Sequence, residues 1–239
     1  MANLERYFDV IYNAISIAFL VALAIAVLRG CLLGRHRFDA LDRLHGRGSA
    51  LAAFGTALAL AGGLLADGFL QDSAWFQQVR FGIYFVGFAL AVIGISWVLR
   101  SAIAERPGLR RFLPRILMGL FVVSLVVSIP FLTIPSTFEL NRYHEQVQLV
   151  VYWTPLLVAS AAGAVTLFVA AVGSPAPARV VWVGLFEALL FLGLLREAEI
   201  LPDLGDPLVN LSVSFVPFFI GGVAVAIGAG MRRRGPVGP

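Results

Sequence analysis

Residues 79–99 read VRFGIYFVGFALAVIGISWVL, and after Arg80 nineteen consecutive positions carry no charge. About 20 apolar residues wound into a helix match the roughly 30 Å hydrocarbon core of a bilayer. Working outward from this stretch, comparable ones recur at about 8–29, 50–70, 112–133, 147–172, 180–200 and 208–231. The sixth is interrupted by Arg196, whose long side chain can reach the interface from a last helical turn. The connectors are short and no repeat at a fixed period separates the stretches. Residues 1–239 therefore predict one all-α transmembrane domain, a bundle of seven membrane-spanning helices.

Composition points the same way. Of 239 residues, 59% are hydrophobic and only 13% charged, with a mean hydropathy of +0.89. So few charges cannot coat the surface of a soluble domain of this size. The one cysteine, Cys31, excludes an intrachain disulfide and any cysteine cage for a metal, and reads as a thiol at the membrane interface. The opening Met-Ala-Asn-Leu-Glu-Arg lacks the basic start of a secretory signal, and no small-x-small cleavage site follows the first apolar run. That run is expected to stay as a span.

All 18 basic residues are Arg, and their distribution orients the bundle. Fourteen fall on the loops after spans one, three and five or on the C-terminal tail, opposed there by Asp39, Asp42 and Glu105. The opposite side holds only Arg6, Arg80, Arg142 and Arg196 against ten acids. By the positive-inside rule the N-terminus is outside and the C-terminus cytoplasmic, in a bacterial-type inner or plasma membrane. The net charge of +4 is thus spread over inner loops facing anionic headgroups, which excludes a nucleic-acid-binding face.

In lipid, small and polar residues mark the faces that helices turn to one another. Span two carries Gly55, Ala59, Gly63 and Asp67 at successive i+4 positions; span five has Ala159 and Gly163, and span seven Gly222, Ala226 and Gly230. Ordinary helix packing accounts for the small residues. Polar lines run along span one (Glu5, Asp9, Asn13, Ser16), span three (Arg80, Tyr84, then Gly87, Ala91, Gly94), span five (Asn141, Glu145, Gln148, Tyr152) and span seven (Asn210, Ser214, Pro217, Gly221). Their polar members keep to the outer half, which predicts a polar cavity open to the outside; wetter helix ends are the plainer reading. Asn13, Tyr84, Tyr152 and Ser214 lie well inside their spans and favour the cavity. Pro130, Pro155 and Pro217 each remove a backbone donor within a span, and Asp206-Pro207 has the chemistry of a helix start.

Glu187 is the one ionisable residue at depth, eight residues after Arg179 and nine before Arg196. An isolated charge there is costly, so the carboxyl is expected to be protonated, paired or facing water, with Gly184 and Ala188 marking its side of the helix as inward. A purely structural Glu187 tolerates Gln and is hurt by Leu, which leaves a polar partner unsatisfied; a coupling Glu187 folds as Gln but loses pH-dependent activity.

Seven spans with the N-terminus outside is also the topology of retinal pigments, but the chain has no Lys for a Schiff base, so retinal is excluded. His36, His45 and His144 all fall in loops, away from any haem-ligating depth, and no cofactor or metal is expected. No H-E-x-x-H, G-x-S-x-G or P-loop pattern occurs, and Asp203-Leu-Gly-Asp206 reads as a cap rather than an aspartyl-protease motif. The chain is expected not to be an enzyme. The leading expectation is a non-catalytic membrane protein, either a subunit of a larger assembly or a small-ligand sensor with an outward-facing polar cavity. Its partners are the lipid bilayer, other membrane proteins or a second copy, and a small-molecule ligand. The alternative is a small proton- or cation-coupled transporter or channel using Glu187, against which stands the lack of an inverted repeat. Candidate ligand- or ion-binding residues are Glu187, Asp67, Arg80, Tyr84, Asn13, Tyr152 and Ser214.

Overall fold

The computed structural model describes residues 2–33, 39–69, 75–132, 142–172, 174 and 177–197. Among these, six α-helices and no strands are found: α1 (Ala2–Leu33), α2 (Ala40–Phe69), α3 (Phe76–Ala102), α4 (Pro107–Leu132), α5 (Arg142–Val172) and α6 (Pro177–Glu197). Each coincides with one of the first six apolar stretches. The seventh, 208–231, lies outside the described residues, as do Ser214 and the side chains of Asn13, Gly63, Asp67, Tyr152 and Pro155. By length and composition one described stretch, Gly82–Ala102, qualifies to cross a membrane, with 21 residues and a hydropathy of 2.2; Ala14–Arg29 and Leu156–Val172 are apolar but shorter.

Local chemistry sets the helix ends. Asp39 precedes α2 and its Oδ1 accepts the Asp42 N–H at 2.6 Å, while its carbonyl accepts the Arg43 N–H at 3.1 Å. This N-cap starts α2 ten residues before the apolar stretch at 50. At the far end of α3 the Ile103 N–H donates to the Leu99 carbonyl at 3.0 Å, and the chain turns over 103–106 into α4. Pro107 and Pro177 occupy the first positions of α4 and α6, where a missing N–H costs nothing.

The tightest pairing joins α2 to α3, antiparallel. A Cβ on Gly48 would stand 2.5 Å from the Gly94 carbonyl oxygen, and one on Gly87 would stand 2.5 Å from the Gly55 oxygen and 2.7 Å from the Ala59 nitrogen. Ala91 belongs to the same face, its nitrogen 2.6 Å from the position a Gly55 Cβ would take. Ile83 covers Gly62. Gly55 and Ala59 thus face a neighbouring helix, and so do Gly87, Ala91 and Gly94. The line on α2, however, is Gly48, Gly55 and Gly62, at intervals of seven. An i+4 series drifts about 40° per step around a 3.6-residue helix, whereas a seven-residue series drifts only about 20° the other way. Only the latter keeps a helix pair in contact over several turns.

The other helices assemble around this pair. On α1, Ser16, Leu20, Leu23 and Ala24 are buried, the stripe turned toward α2; α5 packs on α4, α6 and α3. A core of Phe85, Phe88, Val92, Ile95 and Leu99 on α3 meets Leu156 and Leu167 of α5 and Val183 and Phe186 of α6. The outward faces are apolar as well: on α4, Phe112 is 64% and Val123 63% exposed, and Val165 and Val169 of α5 are also exposed.

Candidate functional site

Two groups of buried polar side chains stand out against this apolar interior. The first centres on Glu187, half-way along α6 and 1% exposed. Residues 180, 183, 187 and 190 recur at helical spacing on the buried stripe of α6, so the carboxyl projects where a Leu or Val would be expected. Gly163 of the antiparallel α5 makes the space. A Cβ there would lie 3.3 Å from Glu187 Oε2 and 3.6 Å from Ile95 Cδ1, so the carboxyl sits between α5 and α3. Glu187 Oε1 is buried and has no hydrogen-bond partner among the described residues.

Two further hydroxyls without a partner among the described residues lie on the neighbouring helices α5 and α3. Ser160, one turn before Gly163, and Ser96, next to Ile95, are both buried with hydroxyls that make no hydrogen bond; Ser16 on α1 is a third. Thr166, three residues after Gly163, is satisfied by donating to the Ala162 and Gly163 carbonyls at 2.7 and 3.0 Å. Native interiors leave few polar atoms unpaired, so a carboxyl oxygen and two hydroxyls within one turn of the same level ask for an explanation.

The second group lies at the α2–α3–α6 end and went unnoticed in the sequence. Arg179 of α6 donates through Nη1 to Asp42 Oδ1, forming an ion pair with side chains 5% and 9% exposed. One turn further along α2, His45 Nδ1 lies 3.3 Å from Ser101 Oγ of α3. Ser101 commits its one hydroxyl hydrogen to the Val98 carbonyl at 2.7 Å, so Ser101 Oγ accepts and His45 Nδ1–H donates. Ser49 donates to the His45 carbonyl at 3.0 Å. Beside the pair, a cleft lined by Asp42, His45, Ser101, Ser174 and Arg179 has room for about one water molecule. Asp42 and Arg179 were counted as loop charges that orient the chain. The signal that could have found them is Asp42, His45 and Ser49 at helical spacing behind the Asp39 cap, which places three polar residues on one face of α2 before the apolar run begins.

Of the residues named from the sequence, Arg80 and Tyr84 are brought together, the guanidinium carbon 5.8 Å from the Tyr84 ring centroid and Tyr84 itself buried. Asn13, Asp67, Tyr152 and Ser214, the remaining walls of the expected outer cavity, lie outside the described side chains. Among the described residues Glu187 forms no ion pair, with Arg80 or any other cation. Among the described residues no group of three or more His, Cys, Asp or Glu could hold a metal ion. No protein-family model matches the chain, and no significant match to it is found among curated proteins or solved structures.

Proposed function

We propose that this chain is a seven-helix integral membrane protein, N-terminus outside and C-terminus cytoplasmic, that couples proton binding at Glu187 to transport or conductance. The observation that carries the reading is the Glu187 Oε1 atom, buried without a hydrogen-bond partner among the described residues. A fixed structural carboxyl is held by donors; a carboxyl that must take and give up a proton is not locked by them. The lone carboxyl suits a proton better than a metal cation, which needs several oxygen ligands at once. Ser96 and Ser160, on the helices packed beside α6, carry buried hydroxyls without partners among the described residues and are suited to hold a water or relay a proton. At rest the carboxyl is neutral, because an unpaired charge among Ile95, Val183 and Leu190 would be costly to maintain. The apolar outward faces of α4 and α5 fit contact with acyl chains.

Reconstituted into liposomes, the parent protein is expected to dissipate or use an imposed pH gradient, and Glu187→Gln to abolish this while folding normally. Equal flux in parent and variant would overturn the proton reading. A second reading, a non-catalytic subunit of a larger assembly, draws on the same exposed Phe112, Ile116 and Val123, which could equally meet another protein's helices. Purification at native expression in mild detergent separates the two: a partner in fixed stoichiometry supports the subunit.

A further inference from the structure

The geometry points to the Asp42–Arg179 pair as the inner gate of Glu187: a polar clasp that closes the cytoplasmic route to the buried carboxyl and must part for water to reach it. The inference rests on the proton reading of Glu187 and adds the side from which the proton comes and the residues that control it. Asp42 and Arg179 stand near the starts of α2 and α6, 137 residues apart, and the two helices are not among the packed pairs of the bundle. The ion pair therefore ties two helices that otherwise make few contacts with each other among the described residues.

Glu187 lies eight residues beyond Arg179 on the same helix, about 12 Å along its axis. Val180 and Val183 of α6, Leu99 of α3, and Leu167 and Ala170 of α5 are buried around that interval. The order from the helix ends inward is thus cleft, clasp, apolar plug, carboxyl. The cleft already has room for about one water at the clasp. Charged or titratable groups near the clasp are Asp39, Arg43 and His45 on α2 and the exposed Arg100 on α3. Around Glu187, α3 has no charge between Arg80 and Arg100, and α5 none from residue 146 to its end. Hence the clasp is the nearest place on α6 where charge rearrangement can admit water toward the carboxyl. A buried ion pair adds little net stability over a neutral pair of similar size, so its position at the mouth of the plug, rather than its energy, gives it a role.

Cysteine accessibility tests this in the full-length protein. With Cys31→Ser as background, Val183→Cys reports on the plug, and a membrane-impermeant thiol reagent is applied to the cytoplasmic face of inverted vesicles. The parent clasp should label slowly. Arg179→Gln leaves Asp42 buried and unpaired, a costly state that hydration of the parted clasp relieves, and should label roughly tenfold faster or more. The exchange Asp42→Arg with Arg179→Asp should return labelling toward the parent rate. If Arg179→Gln labels no faster than the parent, or the exchanged pair labels as fast as Arg179→Gln, the gate is overturned. The Glu187→Gln flux assay fails or succeeds independently, so loss of the proton reading is distinguishable from loss of the gate.

Discussion

At Glu187 stability and function are expected to pull in opposite directions. Because Oε1 has no partner among the described residues, an apolar residue of similar size relieves a desolvated oxygen there. Glu187→Met should therefore raise stability in detergent by about 1–3 kcal/mol while abolishing proton-linked activity. A lowered melting temperature for this variant would mean that the carboxyl is structural after all. Gly163 supports the same site from α5. Its Cβ would come within 3.3 Å of Oε2, so Gly163→Ala should shift the Glu187 carboxyl vibration even if the fold holds. The sequence marked Glu187 because a lone carboxylate in an apolar helix is visible without coordinates. It could not show which α5 residue makes room, nor that Asp42 meets Arg179 across 137 residues, since no local pattern encodes that distance.

Element by element, hydropathy found each described helix but not its ends. The apolar stretch beginning at 50 is the buried part of α2, whereas the helix itself starts at Ala40, because capping by Asp39 rather than burial decides where it begins. Asp39→Ala should cost about 1 kcal/mol, read as a lower melting temperature and faster amide exchange in the first turn of α2. The α2–α3 seam carries a steeper expectation. Gly55→Ala or Gly94→Ala drives a methyl into the facing backbone, with Ala91 N and Ala52 N both at 2.6 Å, and should cost about 1–3 kcal/mol or disrupt assembly. Gly119→Ala on α4 meets nothing within 4 Å and should be neutral or stabilising, by up to about 1 kcal/mol from helix propensity. Comparable melting temperatures for Gly55→Ala and Gly119→Ala would contradict the seam. The i+4 line of small residues was legible as a packing face; its true seven-residue spacing follows from holding an antiparallel partner over several turns.

For the molecule as a whole, the described helices enclose an apolar core and turn apolar faces outward, with most of the buried polar groups among the described residues gathered at two sites. That distribution suits a bilayer, and on the proposed reading the carboxyl of Glu187 lies behind the Asp42–Arg179 pair. The outer cavity expected from four polar lines rests mainly on residues outside the described side chains, while the inner clasp emerged where the sequence suggested only topology signals. The central claim is that Glu187 holds and exchanges a proton within the bundle. Infrared difference spectra of the protein in lipid, recorded across a pH series for the parent and Glu187→Gln, measure this most directly. The account predicts a protonated carboxyl C=O band at neutral pH that is absent in the Gln variant and lost from the parent as pH rises. A Glu187 carboxylate already ionised at neutral pH, or a band that never responds to pH, would contradict it.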